Sequence, residues 1–112
     1  MSSTPNALSS FAEWSSRLAA FPARAERYLI TMSKEGLEVG LYQLVSGDLQ
    51  DTHDRDELYV IVEGEGTFRL GERQIPYQSG DVLFVPAHLH HRFETFGDRL
   101  TAWAFFLGEH RS

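Results

Sequence analysis

Glu57-Leu58-Tyr59-Val60-Ile61-Val62-Glu63-Gly64 starts on a carboxylate, runs through five consecutive apolar residues and stops on a turn-forming glycine. β-branched and aromatic side chains dominate the run, which therefore favours a strand. On a pleated backbone Glu57, Tyr59 and Ile61 point one way, and Leu58, Val60 and Val62 point the other. Short runs of the same texture recur on either side. Tyr28–Ser33 and Leu37–Leu44 flank Lys34-Glu35-Gly36, a plausible tight hairpin. Thr67–Leu70 follows Glu63-Gly64-Glu65-Gly66, and Gly71-Glu72 between Leu70 and Arg73 suits a two-residue turn. Asp81–Val85, His91–Phe96 and Leu100–Leu107 complete the set. About eight such strands with no long helix among them predict an all-β sandwich or barrel.

Ahead of the strands, Ser10 followed by Glu13 has the form of a capping box. Phe11, Trp14, Leu18 and Phe21 then recur at helical steps, and Pro22 favours a stop. A short N-terminal helix is expected, packed across a sheet or onto a second subunit. Residues 1–8 are polar, contain Pro5, and read as a flexible tail, leaving 9–112 as a single domain.

Composition narrows the function classes. The 112 residues supply 42% hydrophobic content with eight Phe, four Tyr and two Trp, enough for one core. A formal net charge of −6, with Arg69, Arg73, Arg92 and Arg99 scattered among acids, argues against nucleic acid as a partner. The chain has no cysteine, which removes thiol nucleophiles, disulfides and Cys-rich zinc sites. No secretory signal is visible, and no run approaches the ~20 apolar residues that cross a bilayer. A cytoplasmic protein without membrane partners is expected.

Four histidines and the acids near them carry the specific chemistry. The first stretch is Thr52-His53-Asp54-Arg55-Asp56-Glu57, and the second runs from Gly80 through Val82-Leu83-Phe84-Val85-Pro86 to His88-Leu89-His90-His91. Two neutral imidazoles and a carboxylate suit a first-row divalent metal with coordination positions left open. Donor atoms must converge within a few ångströms, because metal–ligand bonds are about 2 Å. In a flat strand His53 and Glu57 would lie roughly 13 Å apart at Cα. The polar Asp54-Arg55-Asp56 between them is turn-compatible, and a bend there would bring the two side chains together. If His91 faces inward, Phe93 and Thr95 share its side while Arg92 and Glu94 meet water. Such a ligand set favours Fe, Mn, Ni or Zn over Ca, which prefers all-oxygen sites. The competing interpretation is a polar cluster satisfied by hydrogen bonds with no ion.

The same residues resemble the two motifs of the cupin family. Glu57 followed after six residues by Gly64 is similar to the end of the first motif. Gly80, then Pro86, then His91 is similar to the second, and the strand rhythm from Tyr28 to Leu107 extends the likeness over most of the chain. The resemblance implies a jelly-roll β-barrel with a metal inside one mouth, held by His53, Glu57 and His91, and a homodimer. Three positions depart from the family pattern. Asp51 stands where an additional histidine is usual, and it is either a fourth ligand or a loop residue that bonds backbone. His88 takes the place of a glycine that supports positive φ, and Thr95 replaces an asparagine. His88 and His90 either enlarge the ligand set or face water, and His110 in the polar tail is expected to be exposed.

Two functions fit. The first is a metal-dependent oxygenase, isomerase or decarboxylase acting on a small organic molecule beside Tyr59, Ile61, Phe93 and Trp103, with Tyr59 the candidate acid or base. The second is a non-catalytic module that binds or senses a small ligand. The short chain, which leaves little material for a lid, supports the second.

Overall fold

The computed structural model describes residues 10–21, 26–46 and 53–108. The expected tail, Asp51 and His110 lie outside them. Helix α1 (Phe11–Ala19) is followed by eight strands: β1 (Glu26–Lys34), β2 (Leu37–Leu44), β3 (Asp56–Glu63), β4 (Gly66–Leu70), β5 (Arg73–Tyr77), β6 (Val82–Val85), β7 (His91–Phe93) and β8 (Leu100–Leu107). They form a five-stranded sheet, β1-β2-β8-β3-β6, facing a three-stranded sheet, β5-β4-β7. Every pairing is antiparallel. This is a jelly roll whose two sheets enclose one core without closing into a continuous hydrogen-bonded ring.

The hairpins form where the turn chemistry allows. Lys34 pairs with Leu37 across Glu35-Gly36, and Leu70 pairs with Arg73 across Gly71-Glu72. Gly36 at φ 77° and Gly71 at φ 61° take the left-handed backbone that two-residue loops need. β5, which follows the Gly71-Glu72 turn, carries Pro76 inside its run. Pro76 is tolerated because β5 is the edge of its sheet, where a missing N–H breaks no ladder.

Strand β7 is shorter than expected, ending at Phe93 instead of Phe96. The backbone N–H groups of Glu94 and Thr95 both donate to the Thr67 carbonyl, at 2.8 and 3.3 Å, so the one-to-one ladder stops there. Thr95 then closes the sheet in another way. Its Oγ1 accepts from the Thr67 N–H at 2.8 Å, and its carbonyl accepts from the Tyr77 hydroxyl at 2.7 Å.

Between the sheets the inner faces alternate as the pleat requires. β3 turns Glu57, Tyr59 and Ile61 inward, against Leu83, Val85, Ala102 and Ala104 of its neighbours. The two alanines of β8 leave room for the rings of Tyr42, Tyr59, Phe68 and Phe93, which pack at 4.7–6.4 Å between centroids. The outer face of the large sheet is apolar too. Register places Phe84, Leu58, Phe105, Val39 and Met32 in one row across all five strands, and Val82, Val60, Trp103, Leu41 and Leu29 in the next. Helix α1 lies against this face, burying Leu18 and setting Phe11 edge-on to Trp103 at 6.3 Å. That matches the sheet-packing alternative for the helix. Phe21, past its end, remains 42% exposed.

Candidate metal centre

The centre is built by a bend and a latch. After the bend at Asp54-Arg55, β3 begins at Asp56, and the side chains of His53 and Glu57 meet with Nε2 to Oε1 at 3.1 Å. The loop after β6 is fastened to the bend at two points. The His88 N–H donates to the His53 carbonyl at 2.6 Å, and the Ala87 N–H donates to Asp56 Oδ1 at 2.9 Å. Immediately beyond the loop, β7 presents His91 inward opposite Leu70. Its Nε2 lies 3.7 Å from Glu57 Oε1, and the two imidazole rings are 4.7 Å apart. One donor atom from each of His53, Glu57 and His91 falls within 4.8 Å of the others.

The protonation pattern follows from a neighbour. His91 Nδ1 is 3.1 Å from the Leu89 carbonyl, which can only accept. Nδ1 therefore carries the hydrogen and Nε2 turns its lone pair toward the centre, the tautomer a metal ligand needs. Glu57 is 2% exposed, yet its Oε1 has no hydrogen-bond partner, although imidazole nitrogens stand 3.1 and 3.7 Å away. A buried carboxylate oxygen without a donor is costly. A cation between the three side chains would satisfy it, and the nitrogen–oxygen donor set fits a divalent transition metal.

The other histidines divide as the strand geometry dictates. His88 and His90 are exposed and lie outside the group, and only His91 points inward. His88 adopts φ 70°, so the position does use the left-handed backbone for which a glycine is usual.

The sequence-derived pocket needs correction. Tyr59, Ile61 and Phe93 are each at most 5% exposed and pack as a plug behind His91, with the Tyr59 and Phe93 rings 5.0 Å apart. Trp103 is on the wrong face. Its neighbour Ala104 opposes Tyr59 on the inner side, so Trp103 opposes Val60 on the outer side and meets Phe11. Alternation alone could have excluded it.

A second polar group beside the centre was missed. Tyr28 donates to Glu38 Oε2 at 2.8 Å, and Arg55 Nη2 donates to Glu38 Oε1 at 3.3 Å. Arg55 stacks over Phe106 at 4.8 Å, and Phe106 meets the His53 ring edge-on at 4.9 Å. Burial, then the hydrogen bond and charge of Glu38, hold the Tyr28 phenol far above its ordinary range, so it stays a donor. The available signal was Glu38 itself, a charge inside the apolar β2 run on the face it shares with Tyr42.

With this geometry in view, comparison with known proteins gives a consistent answer. Residues 41–106 match the model of the cupin domain. The chain belongs to the cupin family. An uncharacterised protein of Streptomyces coelicolor is 32% identical to this cupin over 81 residues, covering 70% of this chain and 77% of that protein. A solved RmlC-like cupin from Shewanella frigidimarina superposes with a TM-score of 0.68 at 16% identity, covering 80% of this chain and 81% of its own. The Streptomyces protein PAC13, solved with uridine, superposes at 0.65 with 19% identity, covering 79% and 73%. At these identities the solved structures establish the fold. Among the described residues of this cupin, no helix is long and apolar enough to cross a membrane.

Proposed function

We propose that this cupin holds a divalent transition metal (Fe, Mn, Ni or Zn) at His53, Glu57 and His91, and binds or acts on a small organic molecule there. The observation that carries the reading is Glu57 Oε1, buried between two imidazole nitrogens with no hydrogen bond of its own. When bound, the metal would supply a Lewis acid for an oxygen atom of the ligand. The chain's residues do the rest. Leu89 fixes the tautomer of His91, and the aromatic plug keeps water away from the inner side. The side chain of His53, at 22% exposure, marks the approach, whereas those of His91 and Glu57 are at 6% and 2%. Because rings already occupy the space behind His91, a short ligand is favoured over a bulky one. PAC13, solved with uridine, supports small-molecule binding on this fold.

Elemental analysis of the wild type beside His53→Ala and His91→Ala tests the reading. Near-stoichiometric metal in the wild type, and its loss from both variants while melting stays cooperative, is expected. Metal retained by both variants would overturn the site.

We also propose a homodimer, with a second copy seated on the outer face of the five-stranded sheet. Phe84 and Val82, 49% and 59% exposed at the end of the two apolar rows, support it.

A further inference from the structure

We infer that Arg55 is a carboxylate-recognising residue, and that the small molecule bound beside His53, Glu57 and His91 is a short carboxylate; this rests on the metal reading above. Arg55 follows His53 by two residues, and both meet the Phe106 ring, Arg55 over its face at 4.8 Å and His53 perpendicular to it at 4.9 Å. The guanidinium therefore shares an aromatic neighbour with the most exposed of the three ligand residues.

Its hydrogen-bonding capacity is unfilled. A guanidinium carries five N–H donors in a planar fork. Nη2 makes one long bond, 3.3 Å, to Glu38 Oε1, while Nε is buried and has no partner. Glu38 fills only part of the fork: its Oε1 takes the Nη2 bond, and its Oε2 is directed to the Tyr28 hydroxyl at 2.8 Å. That pair cannot easily shift. The Tyr28 ring lies directly over Gly40, where any Cβ would strike it. A ligand can supply the missing acceptor, and a planar carboxylate matches a fork better than a hydroxyl does.

Charge is compatible with an anionic group at the fork: Arg55 and a divalent ion are both positive and meet Glu38 and Glu57 directly, while Asp56 accepts from the Ala87 N–H of the latch at 2.9 Å.

The test is calorimetric titration of acetate, glycolate and pyruvate, with ethylene glycol as the uncharged control, into full-length protein prepared with and without Zn(II). Metal content is measured on every sample. Arg55→Leu is expected to weaken binding of the best carboxylate at least tenfold with zinc content unchanged. Because Arg55→Leu strands Glu38 and can fail to fold, Arg55→Lys is measured beside it. It keeps the charge but loses the fork, and a several-fold loss is expected. Binding unchanged in both variants overturns the inference, as does failure of all three carboxylates to bind the zinc-loaded wild type. Ethylene glycol binding as tightly as glycolate also overturns it. Wild type that takes up no zinc, yet binds a carboxylate through Arg55, would sink the metal reading and leave Arg55 standing.

Discussion

His88 holds a backbone angle, φ 70°, that most side chains avoid, and it does so at the point where the loop after β6 is tied to the bend before β3. The left-handed backbone there is strain that the histidine tolerates and a glycine would not feel. Exchange to glycine removes the strain but adds freedom to the unfolded chain, and the two effects nearly cancel. We expect His88→Gly to unfold within about 1 kcal/mol of the wild type, and His88→Val to lose about 1–2 kcal/mol, because a left-handed backbone opposes a β-branched side chain. Urea denaturation of the three proteins checks this. Equal midpoints for Val and Gly would mean that the left-handed backbone at residue 88 is not held in solution. At this scale the sequence was informative about identity: it marked His88 as standing in a glycine position and His91 as the inward ligand, but it left open whether His88 and His90 join the site. The register of β7 against β4 made that choice, leaving His88 and His90 outside.

Helix α1 was legible because its information is local. Ser10 accepts from the Glu13 N–H at 3.1 Å, which satisfies one of the donors that open a helix, and Glu13 pairs with Arg17 one turn on at 3.0 Å. Replacing Ser10 with alanine removes the cap, and a loss of about 1 kcal/mol is expected. For a domain of this size the melting temperature should fall by roughly 4 °C. Thermal melts of the variant check it, and an unchanged midpoint would mean that packing of Leu18 and Phe11 alone sets the helix. The strands were legible for a similar reason, since alternation and turn residues are written along the chain. The rest has non-local causes. β5 carries a proline that only an edge position permits, and β7 is cut short by Thr95 bonding to Thr67, a contact between residues 28 positions apart.

For the molecule as a whole, the five-stranded sheet carries apolar residues on both faces, as sheets do when both are covered. Helix α1 covers part of the outer face. Phe84 and Val82 on edge strand β6 remain about half exposed, and an exposed edge with apolar side chains invites pairing. With a second copy on this face, light scattering should return a dimer mass at micromolar concentration, and Phe84→Glu should shift it to monomer with little change in fold. A monomeric wild type, or a Phe84→Glu protein that stays dimeric, would place the contact elsewhere or remove it.

Read alone, the chain determined the architecture and the identity of the three side chains that gather at its centre. Strand periodicity, turn residues and motif spacing are properties of neighbours along the backbone. What lines the approach to the centre was decided only in three dimensions. Trp103 went to the outer face, Tyr59 and Phe93 became packing, and Tyr28, Glu38 and Arg55, drawn from three separate segments, were brought beside His53. Contacts of that kind depend on which strands lie side by side and on which face each residue takes, and no local pattern encodes the sum of those choices.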